Sequence, residues 1–188
     1  MVPGNANATA LSIAAKQNCF AIEITLWWLI FATDIIVSIS LYNFYKRVNS
    51  ALSAITMGFR LVYSLVLGVS ITFLASAGSV CIEALNRIQI FERIWSVRLI
   101  IFGIHLFLLG MLSIEGKSTP LRLSWIILFA GFCYILLHSL FNLGIKASNL
   151  ASIIEPVLTI PMAISEIALA IWLIFGSVRS FPKSAVDS

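Results

Sequence analysis

"WLIFATDIIVSIS", Trp28 to Ser40, is apolar at almost every position and carries an aspartate, Asp34, near its centre. The apolar run continues on both sides, from about Phe20 to Phe44. That is long enough to cross a bilayer, since a spanning helix needs about 20 such residues. The stretch therefore reads as a membrane helix with a carboxylate at membrane depth. What holds that carboxylate is the question the rest of the chain has to answer.

Composition supports the membrane reading. Of 188 residues, 60% are hydrophobic and 11% charged, with a mean hydropathy of +1.03. A soluble domain carries about 25% charged residues, so this chain cannot cover a water-facing surface. The length suits one integral domain, residues 1–188, without a separate soluble part. The net charge of +4 comes from single or paired basic residues between apolar segments, which is no nucleic-acid footprint. Neither a Gly-rich phosphate loop, a CxxC pair nor an HExxH motif is present. Cys19, Cys81 and Cys133 have no metal-ligand spacing, and no cofactor is expected. Cys133 reads as a small core residue. Cys19 and Cys81 both fall near the outer face, where a disulfide is chemically allowed, although two free thiols are the favoured reading. The segment "MVPGNANATALSIAAKQN" lacks the basic start and apolar run of a cleavable signal peptide. Its Asn7-Ala8-Thr9 triplet is read as accidental.

Five stretches qualify as spans: about 20–44, 52–77, 94–114, 123–143 and 156–178. The expected fold is thus all-α, a polytopic transmembrane helix bundle. Short connectors such as "YKRVNSA" (45–51) and "EGKSTPLR" (115–122) make neighbouring helices antiparallel. In the longer connector 76–93, Ile82, Leu85, Ile88 and Phe91 recur at helical spacing, so this segment is expected to lie flat on the interface. Lys46, Arg47, Lys117, Arg122, Arg179 and Lys183 fall on one side, against Lys16, Arg87, Arg93 and Lys146 on the other. That imbalance makes the first side cytoplasmic, with the N-terminus outside and the C-terminus inside.

Depth then groups the ionisable residues. At 1.5 Å per residue, Asp34 lies ~20 Å below the outer face, Arg60 ~18 Å, His105 ~16 Å and Glu166 ~15 Å. His138 is shallower, at ~8–10 Å. A charge at the bilayer centre costs at least about 2.5–3.5 kcal/mol, so all five side chains are expected to point inward and pair. Asp34 is expected to offset Arg60, and His105 to share a proton with Glu166. Ser38 and Ser64, each four residues beyond a charged one, extend the polar faces, and Gly131, Tyr134, His138 and Asn142 form a stripe. Asp34, Arg60, His105, His138 and Glu166 are the candidate ligand- or proton-binding residues. In the fifth span, Pro156 suits a first helical turn, whereas Pro161 frees the Val157 carbonyl deeper in the membrane.

"FGIHLFLLG" (Phe102 to Gly110), "AISEIALAIWLI" (Ala163 to Ile174), "ATDIIVSISLY" (Ala32 to Tyr42) and "GFRLVYSLVLG" (Gly58 to Gly68) resemble a family of bacterial membrane proteins, domain-of-unknown-function family 4386. The likeness runs over nearly the whole chain. Its pattern falls on Asp34, Arg60, His105 and Glu166, and it implies a location in the bacterial cytoplasmic membrane. Two positions depart from it. His138 stands where the family tends to have an acidic residue, and Arg98 where it tends to have a small one. Members usually carry a further helix before the "VPG" segment; if this chain lacks it, the bundle is expected to expose a groove that the helix would have covered, lined by small or polar residues.

Three functions remain open. The first is a membrane protein that binds or moves a small molecule or a proton at its midplane. The second is a structural or assembly protein whose polar layer only fixes packing. The third is an intramembrane metal-assisted hydrolase using His105, His138, Glu166 and Asp34, for which N/O ligands suit zinc. Membrane lipid is the expected partner, with a second copy or a neighbouring membrane subunit next; nucleic acid is not expected.

Overall fold

The computed structural model describes residues 17–77, 84–117, 119–144 and 149–175. Five helices account for almost all of them: α1 (Gln17–Tyr45), α2 (Ser50–Ala77), α3 (Ala84–Gly116), α4 (Leu121–Asn142) and α5 (Asn149–Phe175). Each contains a segment long and apolar enough to cross a membrane. Their outward faces carry Ile22, Leu29, Ile36, Leu65, Phe129, Ile167 and Ile174, all well exposed. Such continuous apolar surface is abnormal for a soluble monomer and suits lipid.

The helices pack in chain order as an arc with α3 at its centre. Asn49 starts α2 by accepting the Leu52 amide on its Oδ1 at 3.0 Å, which satisfies one of the free N–H groups of a helix start. Gly144, at φ 91°, ends α4 in the left-handed conformation that a side chain would strain. The α3–α4 contact is the closest. Gly103 and Gly110 face Gly131 and Leu128, and a Cβ on Gly131 would meet the Phe107 backbone nitrogen at 2.4 Å. Lipid tails are as apolar as leucine, so such close backbone approach is a main source of helix adhesion in a membrane.

Two sequence expectations are corrected. The segment expected to lie on the interface is instead the upright start of α3. Ile88 is buried against Leu74 and Ala77, with Trp27 and Phe91 alongside, and Trp27 stacks edge-on to Trp95 at 4.7 Å. Those contacts need the helix to stand beside α1 and α2; the membrane-spanning part accordingly begins near Asn86. Pro156 is not in a first turn either, because α5 starts at Asn149 and both prolines sit inside it. The Cys19–Cys81 pairing lies outside the described residues, as do Ile82 and the stretch 176–188.

The arc does not close. Among the described residues no Cα of α1 comes within 8 Å of one in α5. The rings of Phe44 and Trp172 meet across the gap, 5.8 Å apart, at the end that carries Lys46 and Lys117. Glu166 stands open beside it, and its neighbours on the same face of α5 include Ala163 and Ala170, both small and exposed.

Candidate functional site

A string of polar side chains runs through the bundle. At the Lys117 end, the Tyr45 hydroxyl hydrogen-bonds Ser113 and Thr119, each at 2.8 Å, and ties α1 to both ends of the α3–α4 turn. Deeper in, Arg60 donates through Nη2 to Asp34 Oδ1 at 2.7 Å. Its Nη1 meets His105 Nε2 at 3.2 Å, and His105 Nδ1 meets the Thr56 carbonyl at 2.9 Å. That carbonyl can only accept and the guanidinium can only donate. The ring must therefore be neutral, with its proton on Nδ1. Asp34, Arg60 and His105 thus form one chain across α1, α2 and α3, roofed by the Phe102 ring against both the guanidinium and the imidazole. The Asp34–Arg60 pairing expected from depth is present. Ser38 and Ser64 point inward as expected, but bond the Met57 and Arg60 carbonyls.

The expected His105–Glu166 partnership is not formed. His105 is fully committed to Thr56 and Arg60, and Glu166 instead accepts a hydrogen bond from the Tyr134 hydroxyl. Similar depth placed the two residues in one layer, but they face different neighbours around the bundle. Glu166 lies within electrostatic reach of Arg60 and Asp34, so it borders the same layer. Unlike them it is exposed. His138 belongs nearer the Arg93 end. Its Nδ1 is 3.3 Å from Ser96 Oγ, Asn142 joins the same hydroxyl at 3.1 Å, and its ring stacks on Tyr134. A pocket of about 240 Å³ between Glu92, Arg93, Ser96 and Asn142 opens this end. Another, of about 620 Å³, lies at the opposite end against Ser113, Lys117, Thr119 and Trp172.

The sequence reading missed Arg98. Its side chain is wholly buried, with the guanidinium 3.6 Å from the Trp95 ring centre and 4.5 Å from that of Tyr63. Its Nε and Nη1 have no hydrogen-bond partner. With the third span started at Ile94, Arg98 falls only ~6 Å into it. Counted from Asn86 it lies ~18 Å into the helix. The spacing Arg98, Phe102, His105 on one face was the available signal. Desolvating a guanidinium costs several kcal/mol, more than the ~2 kcal/mol that a buried cation–π contact returns. Arg98→Met is therefore expected to stabilise the fold by about 1 kcal/mol or more, read as a higher unfolding midpoint in detergent. A lower midpoint would mean that the two rings and the nearby Asp34 charge outweigh desolvation.

Among the described residues no three His, Cys, Asp or Glu side chains converge on one ion position. Of the four residues in the hydrolase reading, Asp34 and His105 bond Arg60, His138 bonds Ser96 and Glu166 bonds Tyr134.

Fold and site together define a polytopic helical membrane protein with an ionisable layer inside its spans. More particularly, the chain belongs to the family described as domain of unknown function DUF4386, whose family model matches residues 1–176. Neither a curated protein nor a solved structure matches it.

Proposed function

We propose that the protein binds and releases a proton, or a small molecule in exchange for one, at Glu166. The observation that carries this reading is the contrast between Glu166 and its neighbours. Asp34, Arg60 and His105 bond one another and could hold three helices in register without help. Glu166 is not needed for that. It is an open carboxyl at membrane depth with a single hydroxyl partner, Tyr134. An ionisable group left in such a place is by default functional. The packing role suggested for the polar layer as a whole fits the Asp34–Arg60–His105 chain and stops there.

Infrared spectroscopy of purified protein during a pH titration tests the proposal. The expected result is a protonated-carboxyl band that grows and fades with pH and is missing from Glu166→Gln, with expression and fold unchanged. A spectrum in which no titrating band depends on Glu166 would sink it.

The location proposed with it is the bacterial cytoplasmic membrane, N-terminus outside, on the strength of the basic-residue imbalance. Single-cysteine labelling from either side of intact cells checks this. Positions beside Lys46 and Arg47 should be reached only from the cytoplasmic side, and labelling from outside would reverse the topology.

A further inference from the structure

The end of the bundle that carries Lys46 and Lys117 holds a pocket that the proposal for Glu166 leaves unused. It measures about 620 Å³ and lies between the α3–α4 turn and Trp172 of α5. That size falls within the range of ordinary small-molecule sites, about 300–1,000 Å³. Proton counting finds an unused donor in its wall. The Tyr45 hydroxyl hydrogen-bonds both Ser113 and Thr119, yet it carries one proton. It donates to one of them and must accept from the other. The hydroxyl that accepts from Tyr45 keeps its own proton, and no described residue takes it. Ser113 and Thr119 both line the pocket and are only 0% and 4% exposed. A buried hydroxyl proton of this kind needs an acceptor, and the pocket is where one can sit.

Two further features favour an acceptor with a negative charge. Lys117 lines the pocket, exposed and without an ion-pair partner among the described residues. Glu115, two residues away, accepts from Asn49 instead and is not in the lining. Leu121, the first residue of α4, is in the lining as well. That 22-residue helix starts with no side-chain cap and no acidic residue in its first turn, so its positive end stands uncompensated. The rest of the wall is apolar: Ile114, Leu121 and Trp172. The spans of α3 and α4 meet the turn at Gly116 and Leu121, which puts the pocket at a membrane surface, the level that suits tryptophan. Lys46, Arg47 and Arg122 are exposed at the same end. Such a basic setting draws net-negative headgroups and repels a choline or ammonium head.

We infer that this pocket binds the phosphodiester of one anionic phospholipid. Lys117 and the free proton of Ser113 or Thr119 serve the phosphate oxygens, and the glycerol end of the lipid meets the apolar wall. A soluble anion would use the donors and leave that wall without a purpose. The site does not depend on what Glu166 does.

The test uses the full chain in neutral detergent micelles, titrated with phosphatidylglycerol or with phosphatidylcholine of the same acyl chains. Native mass spectrometry counts the lipids retained and gives an apparent Kd for each. One phosphatidylglycerol should be retained per chain, several-fold more tightly than phosphatidylcholine. Lys117→Asn removes the charge at a φ of 50°, a conformation that asparagine tolerates, so the turn should keep its fold. It should weaken phosphatidylglycerol binding at least about fivefold, the effect of one lysine on an anionic headgroup. Lys46→Gln, at the same end but outside the pocket, should leave it unchanged. Tyr45→Phe keeps both pocket hydroxyls and should keep the lipid, whereas Ser113→Ala combined with Thr119→Val should weaken it. Unfolding midpoints without lipid show whether these two buried variants fold; if they do not, the two lysine variants decide. Equal retention of both lipids would overturn the inference. So would equal losses in Lys117→Asn and Lys46→Gln, the mark of diffuse surface attraction. Inorganic phosphate that displaces the lipid at the lipid's own concentration would also overturn it, and would give the pocket to a soluble anion.

Discussion

Asp34→Asn is expected to destabilise the protein by about 3–5 kcal/mol, and Arg60→Met by a similar amount, because each strands the other charge inside the bundle. The geometry makes the pair mutually dependent. The Arg60 and Asp34 side chains are only 12% and 11% exposed and meet at 2.7 Å. With Asp34 replaced by Asn, Arg60 keeps only neutral acceptors, an amide oxygen and an imidazole nitrogen. With Arg60 gone, Asp34 keeps no partner at all, since its Oδ2 already has none. The double variant Asp34→Asn, Arg60→Met leaves no net charge and should recover much of the loss. A double-mutant cycle on unfolding in mixed micelles measures this, and its coupling energy should be large and favourable. Losses that simply add would mean that the two charges are stabilised separately, by water or lipid headgroups, and the pair would lose its structural role.

The same pair shows what a sequence can and cannot carry. Asp34 and Arg60 were legible because each lies well inside an apolar run whose ends are unambiguous, so depth alone brought them together. Depth fixes height in the membrane but not direction around the helix. That is why His105 and Glu166, at nearly equal heights, were wrongly joined. The direction is set by packing: Phe102 stacks on His105 and turns it to Arg60, while Tyr134 reaches across to Glu166. The start of α3 failed for another reason. Asn86, Arg87, Gln89, Glu92 and Arg93 make that segment polar enough to resemble an interfacial loop. Its apolar side, Ile88, Phe91 and Trp95, finds partners on α1 and α2 that no local pattern reveals. Moving that boundary outward is what carries Arg98 from the start of the span to its interior.

Those packing directions depend on how closely α3 and α4 approach, which makes Gly131 the most sensitive small residue of the bundle. Gly131→Ala places a methyl group 2.4 Å from the Phe107 nitrogen and 2.7 Å from the Gly103 carbonyl oxygen. Both are backbone atoms of a helix and cannot swing aside as a side-chain tip can. The helices must separate, at a cost of about 1–3 kcal/mol or more for overpacking. Gly58→Ala is the matched control. It lies in a helix with nothing within 4 Å of the new methyl, and alanine is the better helix former by about 1 kcal/mol. Unfolding in detergent should therefore show Gly131→Ala clearly weakened and Gly58→Ala unchanged or slightly stabilised. The separation has a second consequence. Tyr134 sits one turn beyond Gly131 on the same face, and its Cβ already lies 2.8 Å from where a Gly103 methyl would be. Moving α4 away from α3 moves the Tyr134 hydroxyl relative to Glu166. The titration of the Glu166 band should accordingly shift in Gly131→Ala and stay in place in Gly58→Ala. If Gly131→Ala proves as stable as the control, the interface is looser than its backbone distances require. If it is weakened but the band does not move, Tyr134 is not what positions the carboxyl.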